Sequence, residues 1–303
     1  MRSVGKNPQP LVPEFAKTFG VENIITDGIS AQHPYGAMVV AKMAEKVSIL
    51  HTHPILVFGP KQDRLGKYSA KYGNKLYWLE YETESPVNWT HYKNVTEILD
   101  TENLQEMKTE LGDKLHIDKE ILVRNRLFDL VIGDWDRHAK QWGWVVQNEG
   151  DAYKAIPLAG DRDNAFFTLD GLIPKVVSSK NIQPRLRSFE EEIEYIPGLV
   201  YPFDRYFLLN TPTEVFKEQA RFIQETLTDD AIQNALNTWP IIIYQLHGNE
   251  IRDKLIARRN QLVDYAIAFK EEIDKQGILA EPLKGSEDAK ISGDLRACFE
   301  CPM

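Results

Sequence analysis

Apolar residues along this 303-residue chain fall into helix-like and strand-like patterns that can be told apart. In DKEILVRNRLFDLVIG, Ile121, Leu122, Leu127, Phe128, Val131 and Ile132 recur at helical spacing, and Gly133 stops the run. The Ala-rich stretch YGAMVVAKMAEKVSIL, after His33-Pro34, predicts a helix of about four turns over 35–48. Ile55 to Phe58 and KLYWLEYE (75–82) read as strands, with a Gly- and Lys-rich loop, 59–74, between them. GWVVQ (143–147), a turn at Asn148 to Gly150 and YKAIPLAGD (153–161) read as a hairpin. Before these, Arg2 to Val4 is strand-like, a proline-bearing loop follows, and Val21 to Ile25 is apolar.

The remaining patterns are weaker. Residues 84–117 read as a connector with a short polar helix. Beyond 185 the chain is mostly helical, with Thr228 as an N-cap. Glu250 to Lys275 reads as one long amphipathic helix whose Arg252, Arg258 and Arg259 form a solvated face. From Leu283 onward the pattern predicts a loosely held tail. The expected fold class is therefore α+β. It divides into a reduced N-terminal part over 1–85, a mainly helical part over 86–282 and a tail over 283–303.

Composition narrows the function. Lys plus Arg is 36 and Asp plus Glu is 45, a formal net charge of −9, with no basic block. Such a chain is a poor nonspecific nucleic-acid binder. No apolar run reaches the ~20 residues of a membrane span, and the first fifteen residues lack a signal's apolar core. The default expectation is a cytoplasmic protein, or a cell-envelope one if the chain is a fragment of a longer protein. Cys298 and Cys301 have CxxC-type spacing but neither a βαβ context nor a second ligand pair, and read as incidental. His51-Thr52-His53 has strand spacing for a metal but no evident third ligand.

Two acidic clusters frame the hairpin: GDWDRHAKQWGW (133–144) and GDRDNAFF (160–167). A hairpin can bring both to one cleft, and phosphoryl transfer needs that layout. One carboxylate orients or accepts the hydroxyl proton, and another holds Mg²⁺ through hard oxygen. Asp136 suits the first role and Asp163 the second, with Asp161 as a further ligand. Arg137 and His138 would brace the loop or touch phosphate. The alternatives are local ion pairs around Asp136, an Asx-type turn at Asp161 and Asp163, and a capping or solvated Asp134. Trp135, Trp142 and Trp144 read as core packing for this loop.

A helix ending in G-x-x-D-R-H, then a hairpin, then D-N-x-F, resembles the catalytic and metal loops of atypical protein-kinase-like enzymes. HipA-type toxin kinases, CotH kinases, phosphoinositide kinases and secretory-pathway casein kinases share this plan. The stretch from His33 to Arg259 is also similar to uncharacterised bacterial proteins with a DWDRH segment. The resemblance implies a two-lobed kinase-like fold and ATP and Mg²⁺ as cofactors. It makes Asp136 catalytic and Asp163 the metal-loop acid, and puts Gln141 where an amide usually binds metal. It also puts Trp78, Leu79 and Glu80 by the nucleotide hinge and makes Glu45 the acid on the first helix. Lys6, Lys61 and Lys67 are the candidates for the ATP-contacting lysine. Only Arg2 to Lys6 precedes the Pro-rich loop, so the phosphate-covering hairpin is expected to be absent or replaced by the 59–74 loop. The leading expectation is a phosphotransferase with an unknown acceptor. Its rivals are an inactive pseudokinase-like module binding a nucleotide or a protein partner, and a metal-dependent hydrolase.

Overall fold

Three strands make the first sheet: β1 (Arg2–Ser3), β2 (Ile55–Gly59) and β3 (Lys75–Leu79), ordered β1-β3-β2 and antiparallel throughout. The computed structural model describes residues 1–5, 32–168 and 187–300. Lys6, the Pro-rich loop, Val21 to Ile25 and Cys301 lie outside the described residues. Arg2 and Leu56 both pair with Trp78, so these three side chains share one face of the sheet. Helix α1 (Gly36–Lys46) buries Val39, Val40, Met43 and Ala44 in the main core.

The second sheet holds β4 (Val95–Asp100), β5 (Leu115–Ile117), β6 (Trp142–Asn148) and β7 (Tyr153–Ala159), ordered β4-β6-β7-β5. The predicted hairpin is β6–β7. The predicted connector over 84–117 is corrected: β4 lies antiparallel to β6 and β5 parallel to β7. Both are edge strands. β4 buries only Ile98 and Leu99, and β5 is three residues long, so neither shows enough alternation to be read as a strand. Helix α2 (Thr101–Leu111) follows β4, with the Asp100 carboxylate accepting from the Asn103 N–H at 2.8 Å.

Helix α3 (Lys119–Ile132) is the predicted buried helix, capped by Asp118 and ended by Gly133 at φ 72°. A Cβ at Gly133 would strike the Phe189 ring, so packing as well as backbone conformation selects glycine. The C-terminal region is helical: α4 (Pro202–Leu208), α5 (Thr213–Thr226), α6 (Asp229–Leu236), α7 (Asn249–Asn260) and α8 (Leu262–Gln276). Thr228 caps α6 as expected, its hydroxyl accepting from the Ala231 N–H at 3.1 Å.

The single helix expected over 250–275 is two helices, broken at Gln261. Buried Ile251, Leu255, Arg258, Leu262, Ala266, Phe269 and Ile273 keep helical phase across the break, so periodicity alone passes over it. Arg258 and Arg259 are not a solvated face; they are 4% and 9% exposed. Arg258 donates to the Glu190 carbonyl at 2.6 Å and the Leu130 carbonyl at 3.0 Å, and covers the Phe189 ring. Arg259 donates to the Leu227 carbonyl at 2.9 Å. Long basic side chains here satisfy helix-end carbonyls that burial would otherwise leave unpaired. Past Leu283, where a loosely held tail is expected, Leu283, Leu295 and Phe299 are buried, and Phe299 packs 5.4 Å from the Phe207 ring.

Candidate functional site

The β6–β7 hairpin joins the two acidic loops. Trp142 pairs with Ala159, so Gln141 and Gly160 meet at the hairpin's open end, and the Gly160 N–H donates to the Gln141 carbonyl at 2.9 Å. The first loop leaves α3 at Gly133; the second leaves β7 at Gly160. In the second, Asp161 and Phe166 take left-handed backbone conformations, φ 43° and 60°. Phe166 is held there by its N–H on the Ile132 carbonyl at 3.0 Å and by its ring against Phe189. A bulky residue keeps such a conformation only where its surroundings impose it, and functional loops concentrate these cases.

Arg137 ties the loops together. Its wholly buried guanidinium donates to the Gly160 carbonyl at 2.6 Å and ion-pairs with Asp134 and with Asp129, at 3.2 Å to the latter. Asp129, on α3, also receives Arg126 at 3.1 Å and Arg162 at 3.1 Å. Arg126 forks onto Asp204 at 2.6 and 3.0 Å, and Arg162 donates to the Asn125 amide oxygen at 2.9 Å. Three arginines and three aspartates thus interlock beneath the loops. Burial pushes the Asp134 carboxyl up to about 7, with the Asp129 charge adding to the rise and Arg137 opposing it. Asp134 is neither solvated nor a helix cap. It accepts the Asp136 N–H at 3.2 Å and fixes the loop's shape.

Above this net, Asp136 is partly exposed. The Tyr201 hydroxyl donates to its Oδ1 at 3.3 Å, and His138 Nε2 stands 3.9 Å away. Burial lowers the His138 pKa, against the pull of Asp136, and favours the neutral imidazole. Beside this loop opens a cleft of about 230 Å³, lined by Arg2, Thr52, Glu80, Gln141, Gly160 and Asp161 among others. Arg2 crosses it. Its Nε donates to Glu80 Oε1 at 2.7 Å with Nη2 on the same oxygen, while Nη1 meets both Asp161 and Asp163. The Thr52 hydroxyl donates to the other Glu80 oxygen at 2.6 Å. Burial works against the charge on Arg2, but Asp163, then Asp161 and Glu80, outweigh it and raise the guanidinium pKa.

Of the residues picked out in the sequence, Asp136, Arg137, His138, Gln141, Glu80, Asp161 and Asp163 lie on or beside these two loops and their cleft. The 59–74 segment, expected as loop, turns through short helices at Asp63–Tyr68 and Ser69–Tyr72; Lys61 and Lys67 are exposed on it and do not line the cleft. Glu45 pairs with Lys42 at 3.0 Å and His51 at 3.6 Å. His51 packs on His53 and burial takes its pKa down to about 4. Among the described residues no group of three or more His, Cys, Asp or Glu is arranged to hold a metal. Trp142 and Trp144 are buried; Trp142 lies flat on Phe203 at 4.7 Å, and the Trp144 Nε1–H donates to the Thr101 hydroxyl at 3.1 Å.

Sequence reading missed Arg2, Thr52, Thr83 and Tyr201. Arg2 carries a signal, a cation in a short strand, where the resemblance implies a lysine. Thr83 explains two glycines. A Cβ at Gly143 would fall on the Thr83 carbonyl oxygen, and one at Gly160 would meet its methyl group at 2.5 Å. The segment after β3 therefore seats directly on the base of the hairpin.

No protein-family model matches the chain, and no curated protein sequence does. Among solved structures the chain is similar to one described as a Helicobacter pylori proinflammatory kinase, CtkA. The identity is 14%, the match covers 80% of this chain and 87% of that one, and the TM-score is 0.46.

Proposed function

We propose that the chain is an ATP- and Mg²⁺-dependent phosphotransferase of atypical kinase type. The observation that carries this reading is the joining of the Asp136 loop to the Asp163 loop at one hairpin end, clamped by Arg137, beside a cleft holding a strand cation. The order of elements agrees with the resemblance: strand with Arg2, helix α1, two strands, then α3, catalytic loop, hairpin and metal loop.

The donor set suits Mg²⁺. Asp161, Asp163 and the Gln141 amide offer only hard oxygens, and Mg²⁺ characteristically takes one or two carboxylates and completes its shell with phosphate and water. Bound there with ATP, the metal would neutralise charge on the phosphates. Asp136, held by Tyr201, would orient the acceptor hydroxyl and take its proton. A neutral His138 beside it would form no ion pair with that carboxylate. Arg2 would serve as the phosphate-facing cation in place of Lys6, Lys61 or Lys67, since guanidinium matches phosphate oxygens in bidentate fashion.

Arg2 on both metal-loop carboxylates also favours a second reading, a nucleotide-binding module without catalysis. Calorimetry with ATP, with and without Mg²⁺, combined with an assay for ADP formation, separates the two. Wild type is expected to bind ATP in a Mg²⁺-dependent way, Asp163→Asn to lose that dependence, and Asp136→Asn to bind but form no ADP. Binding without turnover in wild type selects the silent module; no Mg²⁺-dependent binding at all removes both readings.

A further inference from the structure

The cation already in the cleft has two edges with different partners. Nε and Nη2 of Arg2 grip Glu80, which Thr52 holds from behind, and Nη1 reaches Asp161 and Asp163. A small swing about Glu80 would therefore lift Nη1 off the metal loop without releasing the guanidinium from the cleft. Resting on the phosphotransfer reading above, we propose that Arg2 is an exchangeable counter-ion. It occupies the metal-loop carboxylates until nucleotide phosphate draws it away, so the cleft resists a divalent cation that arrives without a nucleotide.

Three observations support this. The Oδ1 atoms of Asp161 and Asp163 are the atoms that Nη1 contacts, and a divalent cation on the same oxygens would stand against a positive charge a few ångströms away. Among the described residues, no group of three or more His, Cys, Asp or Glu side chains is arranged to hold a metal. A metal would thus need phosphate oxygens to complete its shell. Phosphate is also the better partner for a guanidinium edge, accepting two parallel N–H bonds. One event then serves both steps, because the arriving phosphate takes Arg2 and supplies the metal's missing ligands. Linkage makes the effect reciprocal, each ligand raising the other's affinity by one factor.

The test uses the full chain and Mn²⁺ as the metal probe. Calorimetry is run with Mn²⁺ alone, with ATP in chelator, and with the two together, on wild type and Arg2→Gln. Removing the counter-ion is expected to tighten Mn²⁺ alone by about tenfold and to weaken ATP alone. Those opposite signs are the signature, since an arginine that only tied the sheet to the loop would weaken both on removal or neither. Arg2→Lys keeps the charge and loses the fork on Glu80. It is therefore expected to leave Mn²⁺ alone as weak as in wild type, and the neutral Arg2→Met carries the test with the signs of Arg2→Gln should that variant fail to fold. Mn²⁺ alone binding no more tightly to a folded neutral variant than to wild type overturns the inference. If Mn²⁺ with ATP still binds in that case, the phosphotransfer reading stands. A wild type that binds no Mn²⁺–ATP overturns both.

Discussion

Beneath the loop that carries Asp161 and Asp163, Arg126, Arg137 and Arg162 face Asp129, Asp134 and Asp204 with side chains 0 to 5% exposed. Above it, Arg2 faces Glu80, Asp161 and Asp163 with side chains 12 to 43% exposed. Both clusters are arginine and carboxylate, and Asp161 and Arg162, neighbours in the chain, belong to different ones. The lower one is matched three against three and sealed, so each charge depends on its partners for what water no longer supplies. In the upper one the Arg2 guanidinium meets three acids at the edge of solvent, where partners can be exchanged at little cost. Chemical type does not separate framework from site here. Access to water does.

The largest effect expected is at the carboxylate that three arginines share. Asp129→Ala leaves Arg126, Arg137 and Arg162 short of a buried partner and should cost about 3–5 kcal/mol of stability by urea unfolding. A loss under about 1 kcal/mol would show that water reaches the lower cluster after all, and the contrast between the two would fail.

How much of this was readable in advance follows the same division. The hairpin, α3 and Asp136, Asp161 and Asp163 were legible because strong periodicity met acidic residues at loop positions. The lower net was not. Arg126 and Asp129 sit inside the apolar stretch of α3, and Arg162 between two aspartates. Nothing local says that such charges turn inward, since the acid that balances Arg126 is Asp204, 78 residues away. Arg258 failed for the same reason: a helical arginine reads as solvated until the carbonyl it serves, Leu130, is known. Arg2 was hidden differently. Its three partners come from just past β3 and from the loop after β7, the Asp161 bond spanning 159 residues.

A smaller effect sharpens the lower cluster's electrostatics. Burial pushes Asp134 up to about 7 from a usual value near 3.8. Between those limits the folded chain holds a proton that the unfolded chain has released, so stability should fall as pH rises through that window. The Asn variant cannot titrate. The wild-type unfolding free energy minus that of Asp134→Asn should therefore decline by about 3 kcal/mol from pH 4 to pH 7, close to 1.36 kcal/mol per unit until the folded value is approached. A difference that rises with pH over that window would mean that Arg137 dominates and the carboxylate is ionised throughout.

The smallest stability effect belongs to the upper cluster, and its smallness is the point. Glu80→Gln removes a charge that Arg2 and Thr52 both touch, as Asp129→Ala does below, yet it should change unfolding free energy by less than about 1 kcal/mol. The amide oxygen still accepts from Arg2 Nε, the amide nitrogen can donate to the Thr52 hydroxyl in place of the second carboxylate oxygen, and water replaces the rest of the carboxylate's solvation. Salt provides the control. In about 1 M NaCl the Debye length is ~3 Å, so whatever difference Glu80→Gln makes should vanish, while the loss in Asp129→Ala should persist because ions do not enter the sealed net. If instead the Glu80→Gln penalty is several kcal/mol and indifferent to salt, Arg2 is as fixed as Arg137. The upper cluster would then be a second strut, and its arginine could not be exchanged for a ligand.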